Sequence, residues 1–350
     1  MPRIAIIGAG LSGLAAAFRL SETDHKIVVF EKSKGYSGRA ASRHRNGCRY
    51  DHGANYFKLN CNEVARLLFE DLPTDDLCRI LGDVCPFDES GTIAPGDPAQ
   101  NAGAKWNYRG GINTLGKLLV EVGHLDVRRE TRITGLQVDH EGWTLSHEGS
   151  DQGEKFDAVL LTTPAPQAAE LLGSISEEEE IITPLVAELK RAQYHSQFSV
   201  ILNYAGSYSL PNGAYALINS DREHAIAWLS HENQKAGRVP PGETLLIAQM
   251  APTWTQDHYH EPLANIIEGA DKAVRSLLPE VHLPRPQWAD TQRWRYAHPH
   301  TAASLEAMKP GSEIGLFFAG DAFIGKGRIP RTIETGFVAE KNLRNYFEEG

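Results

Sequence analysis

Ile4-Ala5-Ile6-Ile7-Gly8-Ala9-Gly10-Leu11-Ser12-Gly13, near the amino terminus, is the stretch whose reading decides the fold. Ile4 to Ile7 is a short, apolar, β-branched run that suits a buried parallel strand. The glycines follow it directly. Gly8 permits a tight turn, Gly10 lets backbone approach a pyrophosphate, and Gly13 lets a helix pack closely on the strand. The helical stretch Leu14 to Leu20 comes next, so the first-turn N–H groups around Leu11 and Ser12 are offered to phosphate oxygens. A second strand, Lys26 to Phe30, ends at Glu31, which stands 23 residues beyond Gly8. That is close to the spacing of about 20 residues expected for an acid that binds a ribose. Strand, glycine loop, helix, strand and acid together predict a Rossmann-like α/β lobe that binds a dinucleotide.

Working outward, the composition bounds what else the chain can be. It has 350 residues, 41% hydrophobic and 23% charged, a soluble globular composition long enough for two lobes. The net charge of −10 disfavours nucleic acid or an anionic membrane as partner. No stretch reaches the roughly 18 consecutive apolar residues of a membrane helix. The amino terminus reads as a strand rather than a signal peptide, so the expected location is the cytoplasm. Cys48, Cys61, Cys78 and Cys85 show neither a zinc spacing nor a redox pair and are expected to be reduced. His298 and His300 bracket Pro299, but no third ligand stands at metal-binding spacing, so no metal is expected. Contact with a substrate phosphate and plain surface exposure are the two readings left for these histidines.

Glu31-Lys32-Ser33-Lys34-Gly35-Tyr36-Ser37-Gly38-Arg39 resembles the E-(x)6-GGR extension of amine-oxidase-like FAD proteins, with Ser37 for the first glycine. The resemblance implies a loop along the FAD pyrophosphate, with Lys32, Ser37, Gly38 and Arg39 at the cofactor and Arg39 offering paired donors to anionic oxygens. A solvated basic loop containing Arg39, Arg43 and Arg45 is the other reading. Further blocks, Asp51 to Phe57, Phe156 to Gln167, His231 to Arg238, Trp294 to Pro299 and Phe318 to Asp321, occur in the order found in the renalase-like branch of that superfamily. One stretch departs from the family. Where Arg-x-Glu-Gly-Ala is usual, the chain keeps Arg328 and Gly336 but reads Pro330-Arg331-Thr332, a change in the segment that in the family meets the flavin ring. Pro330 suits a first helical turn.

The resemblance implies a two-lobed flavoprotein: a Rossmann-like FAD lobe over residues 1–60, 105–165 and 285–350, and a substrate lobe built on an antiparallel sheet over 61–104 and 166–284. It implies non-covalent FAD, with Asn55, Tyr56, Phe57, Ile133, Gly320, Asp321, Arg328, Ile329 and Gly336 added to the cofactor contacts. It implies an oxidase of misreduced nicotinamide dinucleotides, the 2- and 6-dihydro isomers of NAD(P)H, passing electrons to O2 to give NAD(P)+ and H2O2. For the chemistry, Trp294 and Tyr296 are candidate walls of a flat slot or core residues, since two positions apart on a strand they share a face. Asn233 is a candidate partner for a carboxamide. Arg331 is either a positive charge at the flavin or a surface arginine. An oxidase or dehydrogenase of an amine or apolar polyene, and a flavin-binding sensor without turnover, are the alternatives. The oligomeric state is left open.

The strand pattern supports this organisation. Asp126 to Thr134, Leu136 to His140 and Trp143 to His147 read as a small β-meander. Phe198 to Tyr204, Tyr215 to Asn219, Ala225 to Ser230 and Leu245 to Ala251 read as an antiparallel sheet. The acidic run Glu177 to Glu180 reads as the first turn of a helix, where negative charge suits the macrodipole.

Overall fold

A computed structural model of the chain describes residues 1–59, 61–150, 153–175 and 179–349. A five-stranded parallel sheet forms its first layer, in the order Leu316–Phe318, Ala158–Leu161, Arg3–Ile7, Lys26–Phe30, Asp126–Arg128. Because side chains alternate across a strand, Ile4 and Ile6 enter one core and Ala5 and Ile7 the other. The first core is completed by helices Leu11–Leu20 and Ile329–Glu349. Those helices touch where a Cβ on Gly336 would lie 2.3 Å from the Ser12 carbonyl oxygen. On the opposite face sits the meander Ile133–Asp139, Gly142–His147 and Glu154–Phe156, together with helices Ala165–Leu172 and Glu179–Leu189. Of the acidic run expected to open the second of these helices, Glu177 and Glu178 lie outside the described residues.

The second lobe is a six-stranded sheet in the order Trp288–Thr301, Gln193–Ala205, Glu243–Met250, Ile226–His231, Ala216–Asn219, Val84–Phe87. Its pairs are antiparallel except the last, which is parallel. One face carries Phe198, Val200, Leu202, Leu246, Ala248 and Met250 and packs on helix Leu263–Leu277. The other carries Gln197, Ser199, Ile201, Leu245, Ile247 and Gln249. Part of that face covers the hairpin Ser42–Arg45 and Cys48–Asp51, and part remains open to the cavity described below.

The sheet and the cores draw the lobes differently from the expected boundaries. Trp288–Thr301 is hydrogen-bonded along Gln193–Asn203, so the strand expected in the cofactor lobe belongs to the second sheet. Val64, Leu67, Leu68 and Leu72 enter the core of the parallel sheet, as do Ala168, Leu172, Ile182 and Leu185 on its other face. Residues 61–72, 166–175 and 179–189 therefore pack with the cofactor lobe. Strand breaks in the sequence mark where elements end; they carry no information about which core the next helix joins.

Candidate active site

Between the parallel sheet and the open face of the second sheet lies a cavity of about 700 Å³. One end is built from the carboxyl ends of the first two parallel strands, the position where open α/β sheets bind ligands. Gly8, Gly10, Leu11, Ser12, Glu31, Lys32, Ser37, Gly38, Arg39 and Ile133 all line it. A Cβ on Gly10 would meet nothing within 4 Å, whereas one on Gly13 would lie 2.3 Å from the Gly8 carbonyl oxygen. Gly10 thus opens the loop to the cavity, and Gly13 allows the helix to close on the turn. No side chain caps helix Leu11–Leu20, so its first-turn N–H groups remain available for an anion. Glu31 stabilises the loop by accepting from Ala9 N at 3.0 Å and Ser33 N at 2.8 Å. Thr162 adds hydrogen bonds to the Ile7 and Gly8 carbonyls. This elongated cradle, backbone-built and adjoining basic side chains, fits a dinucleotide with its pyrophosphate at the helix.

Midway along the cavity, Asp321 is buried and held by Arg39 at 2.7 Å. Arg39 also donates to the Tyr296 and Ala297 carbonyls, tying the cofactor loop to the second sheet. Gly320 is anchored through its N–H to Thr335 Oγ1, 2.9 Å away on the last helix. Arg328, Ile329 and Thr332 bring the start of that helix to the cavity wall. Of the rest of the basic cluster, Arg43 pairs with Asp290 at 2.9 Å, whereas Arg45 is exposed beside the Trp288 ring.

The second sheet supplies the facing wall. Trp294 and Tyr296 both line the cavity. Trp294 donates Nε1–H to the His52 carbonyl at 2.9 Å and stacks on the His52 ring. Tyr296 meets Tyr194 edge-on at 5.6 Å. A Cβ on Gly53 would lie 1.9 Å from the Arg39 carbonyl oxygen, so only glycine lets the Asp51–Phe57 segment pass beneath Trp294. His298, which is solvent-accessible, also lines the cavity. Enclosure there, followed by repulsion from Arg39 and Arg328, pushes its pKa down to about 4, so the ring is neutral at pH 7.

Seven expected residues do not line the cavity. Gly13 and Gly336 act through packing, as described above. Phe57 is buried in the first core, and Tyr56 packs on Tyr215 and Trp228. Asn55 accepts from Ser230 through its side chain and from Asn107 through its backbone. Asn233, expected at a carboxamide, is exposed; its amide donates to Glu243 O and accepts from Leu245 N, fastening a strand start. Arg331 is exposed on the first turn of the last helix, outside the lining.

The two family-specific blocks around Asp51 and His231 to Arg238 meet in a sealed ion cluster. Lys235 Nζ lies 2.8 Å from Asp51 and 2.7 Å from Glu232, and Arg238 Nη2 lies 3.0 Å from Asp51, all with side chains fully buried. Asp51 also accepts from Ser42, Asn107 and the Ile112 N–H. Lys235 and Arg238 hold the Asp51 carboxyl well below its usual range, although burial alone would raise it. Two carboxylates and two cations balance in charge, as a dry site requires. Among the wall residues that sequence reasoning missed are Gln197, Gln249, Thr162 and Arg295. For Gln249 a signal existed: it is the one polar residue in the otherwise apolar run Leu245 to Met250.

Comparison with known proteins gives a consistent pattern. Residues 6–72 match the model of an NAD(P)-binding Rossmann-like domain. Residues 87–339 match that of flavin containing amine oxidoreductases. Mouse renalase is 23% identical over 318 residues, covering 87% of each chain. Among solved structures, a putative protoporphyrinogen oxidase from Exiguobacterium superposes with a TM-score of 0.78 at 16% identity over 99% of both chains. Cyclohexylamine oxidase from Brevibacterium oxydans gives 0.75 at 15% identity, again over 99% of both. Among the described residues no helix is long and apolar enough to cross a membrane, and no group of three metal-binding side chains is present.

Proposed function

The chain belongs to the family of flavin-containing amine oxidoreductases, with FAD as cofactor, and we propose that it oxidises misreduced nicotinamide dinucleotides, the 2- and 6-dihydro isomers of NAD(P)H. The observation that carries this reading is the charge of the cavity wall. Arg295 and Arg328 line it, neither paired with a carboxylate among the described residues; Arg295 lies over the Tyr296 ring, and Arg328 hydrogen-bonds the Gly327 carbonyl. The carboxylate in the same region, Asp321, is neutralised by Arg39. Such a wall attracts the phosphates of a dinucleotide and repels a substrate ammonium.

When bound, FAD would supply the acceptor for the substrate's hydride and a route for the electron pair to O2, which with a proton from water would give H2O2. The Gly8–Gly13 turn and the start of helix Leu11–Leu20 would hold its pyrophosphate, and Glu31 its ribose. Thr131 to Thr134, including Ile133, would flank its adenine. Asp321 and Arg39 would fix the middle of the cofactor, and Arg328 with Ile329 its ring end, all without a covalent bond. Trp294 and Tyr296 would form the flat wall against which a dihydropyridine ring lies. No side chain need remove a proton, because loss of hydride leaves an aromatic pyridinium. The neutral His298 then serves as a contact for substrate rather than as an acid. A cytoplasmic location is supported by the four unpaired thiols.

The test is anaerobic mixing of FAD-loaded protein with borohydride-generated dihydronicotinamide isomers, with NADH and a panel of amines as controls. Rapid loss of oxidised-flavin absorbance with the isomers alone is the expected result. Bleaching by an amine and not by the isomers would replace this reading with amine oxidation.

A further inference from the structure

Gln197 and Gln249 are 5% and 8% exposed, and both line the cavity. They stand on adjacent antiparallel strands. Gln249 faces Ser199 in the register and Gln197 faces Trp294, so the two amides and the indole share one face of the sheet. Each glutamine is oriented by the main chain. Gln197 Nε2 donates to the Met250 carbonyl at 3.1 Å, and Gln249 Nε2 donates to the Gly53 carbonyl at 2.7 Å. A carbonyl can only accept, so the nitrogen must be the atom at each of those contacts. The free end of each amide is therefore Oε1, which takes no hydrogen bond from the described residues and is not a buried atom. Two neutral acceptors are thus fixed beside an aromatic face. Trp294 has already committed its own N–H to His52.

We propose that Gln197 and Gln249 read a primary carboxamide carried by the substrate ring. A carboxamide –NH2 presents two donor hydrogens, and two fixed acceptors satisfy both. An analogue with a methyl ketone in place of the amide has the same shape at the ring but no donor, and would cover both Oε1 atoms without pairing them. The proposal rests on the dihydronicotinamide reading above. It moves amide recognition from the exposed Asn233 to two residues of the sheet.

The experiment compares dinucleotides bearing nicotinamide with those bearing 3-acetylpyridine. Their borohydride-generated dihydro isomers are mixed anaerobically with FAD-loaded protein, and the oxidised forms are titrated separately while the flavin spectrum is followed. Wild type is expected to favour the carboxamide at least about 10-fold in both measurements. Gln197→Met and Gln249→Met should each bring that ratio toward one, with flavin content and thermal midpoint showing that they fold. Gln197→Leu and Gln249→Leu, which likewise carry no acceptor, provide second variants should the methionine forms misfold. Absence of a preference in wild type, or its persistence in the variants, overturns the proposal. If neither set of isomers bleaches wild type, the functional reading has failed. The titration then decides this one alone: a glutamine-dependent preference in binding sustains it, and equal binding ends it.

Discussion

The two ends of the cavity are built on opposite principles. At the phosphate end, one contiguous segment, Ile4 to Glu31, supplies strand, turn, helix start and acid, and backbone N–H groups form the cradle. At the sheet wall, Gln197, Gln249 and Trp294 come from three strands far apart in the chain, and side chains form the surface. The first end tolerates little, because its geometry is set by atoms in contact. The second is held at arm's length by hydrogen bonds to backbone, and its residues can change while the sheet persists. A neighbouring contrast is equally sharp: the Asp51–Lys235 cluster is sealed from the cavity, whereas the Arg39–Asp321 pair lies on it.

The largest effect should come from Gly13→Val. Its Cβ would fall against backbone with nowhere to move, so the protein should lose bound flavin and about 3 kcal/mol of stability or more. Flavin absorbance per mole of protein checks this. Retention of full flavin would show that the cradle is less rigid than its contacts imply. Next, Lys235→Met leaves Asp51 and Glu232 short of a cation in a fully buried site and should cost about 3–5 kcal/mol, read as a denaturant midpoint. Arg39→Met, at a pair with an accessible arginine, should cost about 2 kcal/mol or less yet weaken flavin retention more than Lys235→Met does. Reversal of that order would break the distinction between the sealed and the exposed pair.

Acid should act through buried histidines. Burial first of all lowers His52 and His231 to about 4. Each ring is neutral in the fold but protonated in the unfolded chain below its ordinary value of 6.5. Their stabilisation is therefore complete above pH 6.5 and is lost as pH falls toward 4, by up to about 1.4 kcal/mol per pH unit for each ring. His231→Phe should flatten the dependence of thermal midpoint on pH in that window, and an unchanged slope would show that this ring is not its source. The smallest effect is expected from Arg331→Ala, within about 0.5 kcal/mol of wild type and with unchanged flavin bleaching. A slowed reaction would bring Arg331 back into the site.

Much of this was legible in the sequence, and where reading stopped is instructive. The parallel strands, the glycine loop, Glu31 and the Gly320–Asp321 turn are local features, and each stands at the cavity. The Asp51 and His231–Arg238 blocks were equally visible as motifs, but their residues secure the scaffold instead of lining the site. A motif records that certain residues are required together and says nothing of whether they face a core or a ligand.

By itself the sequence determined the fold class, the family and the position of the glycine turn, because strand periodicity and the glycine turn are fixed by interactions among neighbours in the chain. Only the tertiary structure decided that Trp288–Thr301 joins the second sheet, that Asn233 turns to a strand and Arg331 to solvent, and that two glutamines face the cavity beside Trp294. Those outcomes depend on strand register and on which face of a sheet is covered, and both are settled by contacts between segments distant in sequence.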